Sequence, residues 1–264
     1  MIDFKRLCEG TCDVAKQAGD FIRNESKAFS ISRVEEKGIN NFVTYVDKGA
    51  EKLIVEKLHE LLPEAGFITE EGTETWKGDQ YNWVIDPLDG TTNFIHGLAP
   101  HAVSIGLLEN DRPVMGVIYE VTTQECFYAW KGSPAYLDGN EIRVSDRTKV
   151  QDSLIATGFP YTDYHLMRPY IACLEYLLHH SHGVRRLGSA AADLAYVACG
   201  RFEGFYEYGL NPWDVVAGIF IVQQAGGKIT DFSGGDDYIF GKEIVAANAA
   251  VFKEFLEVVQ KFLK

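Results

Sequence analysis

Apolar residues recur at the spacing of an amphipathic α-helix near the amino terminus and again further along the chain. The first stripe covers residues 4–22 and the second covers residues 46–61. Residues three and four positions apart share one face of a helix, so both segments predict helices with one buried side. Thr44 has a side chain typical of an N-cap, and Asp47 follows at the spacing of a capping pair. The second helix is therefore predicted to begin near Thr44.

Short apolar runs rich in aromatic and β-branched residues predict strands. Residues 81–85 form one such run, which stops at Asp86 because Pro87 cannot donate to a central strand ladder. Residues 28–43 alternate only loosely and predict a turn-rich loop. The other predicted strands are residues 66–69, 102–108, 113–121, 125–130, 153–158, 184–187, 203–208, 228–232 and 244–247.

Helical patterns interleave with the strands in the second half of the chain. They cover residues 167–178, 188–199 and 212–224 and a closing segment from residue 251. There is no internal repeat, low-complexity segment or linker of separable composition. This order predicts layered α/β or α+β packing. At 264 residues the chain is long enough for one large domain or two small ones.

The composition narrows the possible partners. A formal charge of −13 argues against nucleic acid or an anionic membrane as the main partner, although an acidic, solvated surface explains most of that charge equally well. The amino terminus has no apolar signal region, and no apolar run approaches the roughly 20 residues that span a bilayer. The scattered cysteines lack Cys-x-x-Cys spacing and are expected to be reduced thiols in a cytoplasmic protein. They are Cys8, Cys12, Cys126, Cys173 and Cys199.

The stretch after the predicted strand at residues 81–85 carries candidate chemistry. Asp86 lies at the carboxyl end of that strand, and the turn at Pro87 brings Asp89 towards it. Gly90 and Thr91 then open a predicted short helix, whose free N–H groups favour an anion. Carboxylates beside an anion site suggest Mg²⁺ held between them and a phosphoryl group. The plain alternative is that Asp-Pro and Asp-Gly only mark a loop.

The order Asp-Pro-Leu-Asp-Gly-Thr-Thr at residues 86–92 resembles the first signature of the inositol monophosphatase family of magnesium-dependent phosphatases. Asn-Pro-Trp-Asp at residues 211–214 resembles the second signature, and a Glu-Glu pair lies upstream at residues 70–71. The resemblance covers nearly the whole chain. It implies one domain over residues 1–264, with an α+β part to about residue 145 and an α/β part after it. It also implies an αβαβα sandwich of helical layers and two sheets, often assembled as a homodimer.

The resemblance also implies roles for individual residues. The metal ligands would be Glu70, Asp86, Asp89, Asp214 and the carbonyl of Leu88. Thr91 would hydrogen-bond the attacking water with the help of Asp47. The phosphate and polyol contacts would come from Asp89, Gly90, Thr91, Gly188, Ser189, Ala190, Glu207 and Asp214. A carboxylate set without a His/Cys cluster favours Mg²⁺ over zinc.

Several of these residues also have plain structural interpretations. Asp47 has the spacing of a helix cap, and Asp214 alone would be a helix-start aspartate favoured by the dipole. Glu207 alone would be the exposed face of a strand between two tyrosines. Glu71 either holds a water near the metal or is solvated, and His96 is expected to be a packed neighbour rather than a catalytic acid.

The predicted function is release of inositol and phosphate from an inositol monophosphate, a small-molecule phosphate monoester. Histidinol phosphate and fructose 1,6-bisphosphate remain alternative substrates. A haloacid-dehalogenase-type phosphatase needs Asp-x-Asp order, whereas two residues separate Asp86 from Asp89 here. A regulatory or scaffold protein with residual metal binding is the alternative from another functional class.

Overall fold

The fold is described by a computed structural model, which covers residues 2–27, 34–38 and 41–264; residues 34–38 and 41–43 are described by their backbone. Within these residues the chain forms seven α-helices. They are α1 (Phe4–Ser26), α2 (Tyr45–Leu61), α3 (Thr91–Ile95), α4 (Met167–His180), α5 (Ala190–Ala198), α6 (Pro212–Gln224) and α7 (Phe252–Leu263). The helices predicted from apolar spacing are confirmed to within a few residues. Thr44 and Asp47 form the predicted capping box of α2.

Fourteen strands are found in the same described residues. They are β1 (Val34–Gly38), β2 (Asn41–Thr44), β3 (Gly66–Thr69), β4 (Tyr81–Asp89), β5 (Ala102–Glu109), β6 (Arg112–Glu120), β7 (Glu125–Trp130), β8 (Ala135–Leu137), β9 (Asn140–Ile142), β10 (Leu154–Thr157), β11 (Gly183–Arg185), β12 (Gly204–Tyr208), β13 (Lys228–Thr230) and β14 (Glu243–Ala247). β1 and β2 pair as an antiparallel hairpin. This hairpin replaces part of the predicted loop over residues 28–43, the rest of which lies outside the described residues.

A seven-stranded sheet in the order β3-β4-β5-β6-β7-β8-β9 carries helices on both faces. Only β3 and β4 are parallel in this sheet. Side chains alternate across β4, so that Trp83 and Ile85 pack with α1 and α2. Val84 between them packs on the opposite face, with α5 and α6. This alternation is the two-residue period of a strand buried on both sides.

The second sheet has the strand order β11-β10-β12-β14-β13. One face contributes Phe205 and Ala246 to the apolar cluster formed by α5, α6 and the larger sheet. The other face contributes Tyr206, which packs with Phe255 of α7 and Tyr170 of α4. The layers thus run helix, sheet, helix, sheet, helix, and the predicted αβαβα sandwich is confirmed. The division into two parts near residue 145 stays a prediction.

The end of β4 differs from the prediction. The strand was expected to stop at Asp86, yet it resumes its pairing with β5 at Asp89. Asp86 pairs with Ser104 and Asp89 pairs with Ala102, so three steps on β4 face two on β5. The extra residue forms a β-bulge, in which Pro87 does not have to donate an N–H to the neighbouring strand. The bulge keeps both aspartates on one strand while turning their side chains towards the same region.

Helix α6 lies directly on two glycines of the larger sheet. Gly106 and Gly116 are cross-strand partners on β5 and β6. A Cβ atom on Gly116 would lie 2.3 Å from the carbonyl oxygen of Ala217, and one on Gly106 would lie 2.5 Å from a methyl carbon of Val216. The glycines therefore permit a close approach that a larger residue would prevent. This contact sets the distance between α6 and the sheet. Because α6 carries Asp214 in its first turn, the contact also helps to position Asp214.

Within the described residues, no helix is both long and apolar enough to cross a bilayer.

Gly116→Ala should destabilise the protein by roughly 1–3 kcal/mol, the usual cost of overpacking a tight contact. Gly10→Ala is the matched control, because the atoms nearest to a Cβ there, from 3.1 Å, are side-chain carbons of the exposed Leu61 rather than backbone. It should leave stability unchanged or raise it by about 0.5–1 kcal/mol, as expected for replacing glycine within a helix. Urea unfolding followed by circular dichroism measures both changes. Equal effects in the two variants would contradict the close contact between β6 and α6.

Candidate functional site

Three aspartates meet where β4 ends beside the start of α6. Asp86 and Asp89 flank the bulge, and Asp214 lies in the first turn of α6. One carboxylate oxygen of each lies within 4.8 Å of the other two. Asp214 Oδ2 also accepts the N–H of Asn211 at 2.7 Å, which closes the capping box of α6. The cap interpretation of Asp214 is thus compatible with its membership of this cluster.

Glu70 joins the cluster from the neighbouring strand. β3 runs parallel to β4 and pairs Thr69 with Ile85, so the next residue on each strand reaches the same edge of the sheet. The N–H of Glu70 donates to the carbonyl of Ile85 at 3.2 Å. The side chain of Glu70 lines the same pocket as Asp86, Asp89 and Asp214. Three segments that are far apart in sequence, namely the end of β3, β4 and the start of α6, therefore contribute to one site.

The clustered carboxylates resist ionisation. Burial raises the pKa of Glu70 to about 8, and the charge of Asp214 adds to this shift. Burial raises the pKa of Asp214 to about 8, with Asp89 contributing. The pKa of Asp86 is also raised, first by burial and then by Glu70. In low dielectric, nearby like charges cannot all be carried without compensation.

The donor set fits a hard divalent cation. In the described part of the chain, no lysine or arginine is among the groups that change the pKa of these four carboxylates most. Oxygen donors in this number and proximity are the ligands that Mg²⁺ and similar cations prefer. Asp89 is also oriented from outside, because its Oδ2 accepts the Ser189 hydroxyl and the Ala191 N–H, each at 2.7 Å. A ligand whose orientation is fixed in this way is typical of metal centres.

The predicted pair of Thr91 and Asp47 is in hydrogen-bond contact. Thr91 Oγ1 lies 3.0 Å from Asp47 Oδ1 and 3.1 Å from the carbonyl oxygen of Leu88. The other oxygen of Asp47 accepts the N–H and the hydroxyl of Thr44, at 2.8 and 2.5 Å. Asp47 therefore caps α2 and contacts Thr91 at the same time. Burial raises its pKa, while the hydrogen bonds from Thr44 and Thr91 oppose the rise.

Gly90 precedes α3 in the left-handed region, with φ of 96°. A Cβ there would lie 3.1 Å from the carbonyl oxygen of Pro100, so glycine suits both the conformation and the space. Gly90 and Thr91 line a pocket together with Glu70 and the three aspartates. The structure thus brings the predicted phosphate contacts beside the carboxylates.

The predicted polyol contacts, Gly188, Ser189, Ala190 and Glu207, line the same pocket. Ser189 is buried, and its hydroxyl is already donated to Asp89. The interpretation of Glu207 as an exposed strand residue is wrong. It is 8% exposed, because β12 lies between β10 and β14.

The carboxylate of Glu207 lies over Gly158. Both of its oxygens are 2.1 Å from the position that a Cβ on Gly158 would take. Burial raises the pKa of Glu207 to about 8, Asp89 adds to the rise, and Arg186 opposes it. A glycine at 158 is therefore required for this wall of the pocket.

Some pocket residues were missed at the level of sequence. Arg186 lines the pocket, and its guanidinium donates to the Tyr161 hydroxyl at 3.4 Å. Residues 158–163 form the wall on this side. Arg186 precedes the predicted Gly188–Ala190 loop by two residues, but this position in the sequence does not indicate that its side chain lines the pocket. His96, expected to be packed, is instead exposed at the end of α3.

Comparisons with known proteins agree with this geometry. The model of the inositol monophosphatase family matches residues 3–263. A protein of Escherichia coli (strain K12) named Nus factor SuhB is 42% identical over 243 residues, covering 92% of this chain and 91% of the relative.

Two solved structures are similar over nearly their whole length. The extragenic suppressor protein suhB from Bartonella henselae aligns with a TM-score of 0.90 at 38% identity, covering 96% of this chain and 98% of that chain. An inositol monophosphatase from Anabaena (Nostoc) sp. PCC 7120 aligns with a TM-score of 0.86 at 33% identity, covering 99% and 98%. The match of the family model over almost the entire sequence and these full-length similarities show that the chain belongs to the inositol monophosphatase family.

Proposed function

We propose that the protein is a Mg²⁺-dependent phosphate monoester hydrolase whose preferred substrate is an inositol monophosphate. The observation that carries the proposal is a pocket lined by the carboxylate cluster and by Thr91, whose hydroxyl is hydrogen-bonded to Asp47. Glu207, an acceptor suited to hydroxyl groups, lines the same pocket. A similar solved structure, from Anabaena, is named an inositol monophosphatase, which supports the same activity here.

Glu70, Asp86, Asp89 and Asp214 would hold Mg²⁺, with the carbonyl of Leu88 completing the ligand set. When bound, the cation supplies neutralisation of phosphoryl charge and a lowered pKa for a coordinated water. The chain supplies the closely spaced carboxylates and fixes the orientation of at least one of them. The hydroxyl of Ser189 and the N–H of Ala191 hold Asp89 in place.

Thr91 and Asp47 are proposed to orient the attacking water and move its proton. The Thr91 hydroxyl can donate to Asp47, which leaves its oxygen lone pairs to accept from a water in the pocket. As the water attacks phosphorus, its proton passes to Thr91 Oγ1 and the threonine proton passes to Asp47 Oδ1. The bond between phosphorus and the inositol oxygen breaks, and that oxygen takes up a proton from solvent to leave as the alcohol. Burial raises the pKa of Asp47 and so favours its role as acceptor.

The amides of Gly90 and Thr91 are proposed to bind the phosphate, and Glu207 to accept hydrogen bonds from the polyol. The phosphate monoester is the proposed small-molecule partner of a cytoplasmic homodimer. Histidinol phosphate and fructose 1,6-bisphosphate remain alternative substrates, since the metal-side residues contact only the phosphoryl group common to all three.

A second candidate function is regulatory, because the Escherichia coli relative is named a Nus factor. The chain keeps a complete carboxylate cluster and an oriented Thr91–Asp47 pair, which favours catalysis. The two functions need not exclude each other. Phosphate release from inositol 1-phosphate, measured with Mg²⁺ and again with a chelator, separates them. Phosphate release only with Mg²⁺ supports the hydrolase. No phosphate release under either condition would contradict the hydrolase and favour the regulatory function.

Asp86→Asn, Asp89→Asn and Asp214→Asn should each reduce Mg²⁺-dependent phosphate release to near background, because each removes one ligand charge. The metal-free variants should unfold at or above the wild-type temperature, since each change also relieves repulsion. Asp111→Asn is the control: it is an exposed turn residue with φ of 59°, a conformation that asparagine accepts. Activity near wild type in any two site variants at saturating Mg²⁺ would overturn the ligand assignment.

Thr91→Ala should lower kcat by roughly 10²–10⁴-fold, the scale for loss of a positioned proton-transfer group, with a much smaller effect on KM. Asp47→Asn should behave similarly, because its amide oxygen can still accept from Thr44 while its NH₂ group would face Thr91 and reverse that hydrogen bond. The double variant should lose less than the product of the single losses. Steady-state kinetics measures all three. Fully multiplicative losses would show that Asp47 acts only as the cap of α2.

Glu207→Ala should lower kcat/KM for inositol 1-phosphate by about tenfold or more, the effect of losing a buried hydrogen-bond acceptor worth about 1–3 kcal/mol. Hydrolysis of glycerol phosphate should change little, because this substrate lacks the ring of hydroxyls. Parallel assays on both substrates give the ratio. Equal losses on both substrates would show that Glu207 supports the fold rather than substrate selection. A wild-type preference for histidinol phosphate would refute the inositol phosphate assignment but not the phosphatase assignment.

A further inference from the structure

Glu51 is a fully buried carboxylate on α2 that the proposed mechanism does not use. Its Oε2 accepts the N–H of Glu71 at 2.8 Å, and its Oε1 accepts the N–H of Thr73 at 2.8 Å. Each oxygen therefore binds one backbone amide of the same loop. Charge-assisted hydrogen bonds of this length to a buried acid are among the stronger polar contacts in proteins.

The loop is shaped to receive this carboxylate. Gly72, between the two donors, has φ of 71°, and this turn lets the N–H groups of Glu71 and Thr73 converge on one anion. Successive amides in such a turn form a concave anion-binding nest, which a carboxylate from the protein itself occupies here. The carboxylate of Glu51, on α2, occupies the nest. Glu51, Glu71 and Thr73 are not among the residues that line the substrate pocket.

The same loop carries Glu70 at its start. On one side the N–H of Glu70 is held by the carbonyl of Ile85 on β4, at 3.2 Å. On the other side the next residue is held by Glu51. The backbone at Glu70 is thus held by β4 on one side and by α2 on the other. These two contacts determine where the Glu70 carboxylate lies in the pocket.

We propose that Glu51 is a positioning residue for the metal centre, which sets the affinity for Mg²⁺ by holding the backbone that presents Glu70. The inference rests on the proposed function. Asp47 and Glu51 are four residues apart and share one face of α2. One rigid helix therefore locates both the partner of Thr91 and the loop of Glu70, so that the water-orienting pair and the metal cradle keep a constant separation.

Glu51→Gln tests this role, because a glutamine can accept only one of the two amides and turns an NH₂ group towards the other. Calorimetric titration should show a dissociation constant for Mg²⁺ raised by about 10–100-fold, the usual effect of losing an outer partner of a ligand. The kcat at saturating Mg²⁺ should change much less. Hydrogen exchange of the Glu71 and Thr73 amides in the metal-free protein should become faster.

Glu203→Gln is the matched control. Glu203 is also a buried glutamate that accepts a backbone N–H, that of Leu154 at 2.6 Å, but it does so beside β10, away from the carboxylate cluster. It should lower stability without changing the affinity for Mg²⁺. This comparison separates positioning of Glu70 from a general loss of stability.

Gly72→Ala provides a second variant that keeps Glu51. A Cβ at this exposed position meets nothing within 4 Å, so the change acts only on the left-handed backbone conformation. It should weaken Mg²⁺ binding in the same direction as Glu51→Gln. If both variants bind Mg²⁺ as the wild type does, the inference is wrong. If the wild type itself binds no Mg²⁺, the proposed function fails first, whereas the exchange rates still report whether Glu51 holds the loop.

Discussion

Repulsion among closely spaced, buried or half-buried carboxylates is the constraint on which the rest of the structure depends. Asp86, Asp89 and Asp214 approach one another within 4.8 Å, and Glu70 lines the same pocket. Two unit charges about 4 Å apart repel by about 4 kcal/mol even at an effective dielectric constant near 20. Burial, and in most of these carboxylates repulsion after it, raises the pKa values, so the cluster can relieve the repulsion by binding protons or by binding a cation. At neutral pH the two compete for the same oxygens, so metal binding must release protons.

The fold keeps these charges together through contacts remote from the charges themselves. The bulge in β4 places two aspartates on one strand, and the paired glycines Gly106 and Gly116 let α6 bring the third within reach. Helix α2 meets the site through Asp47 and holds the loop of Glu70 through Glu51. The site is thus supported by strands and helices and by one loop that a helix holds, which suits a site that must hold like charges at fixed distances.

Much of this arrangement is predictable from sequence because apolar periodicity specifies which face of each element is buried. The helices, the central meander and the layered class follow from that pattern, and the two motifs indicate the carboxylates. The bulge at residues 86–89 is not predictable in this way, because proline forbids a ladder bond without saying whether pairing resumes. Glu207 was open to misinterpretation for a related reason: its burial depends on β10 and β14, which are distant in sequence. Glu51 and Arg186 lie outside both motifs, and their importance emerges only from the residues that the fold places beside them.

The most direct test of this account is the anomalous scattering of crystals soaked in Mn²⁺, which replaces Mg²⁺ at oxygen sites and is located by its anomalous signal. The account predicts a strong peak bounded by Asp86, Asp89 and Asp214, with the carbonyl of Leu88 or the carboxylate of Glu70 among its neighbours. The peak should disappear in Asp86→Asn crystals that diffract equally well. Crystals soaked at saturating Mn²⁺ that show no peak among these carboxylates would contradict the claim that a divalent cation balances their charge.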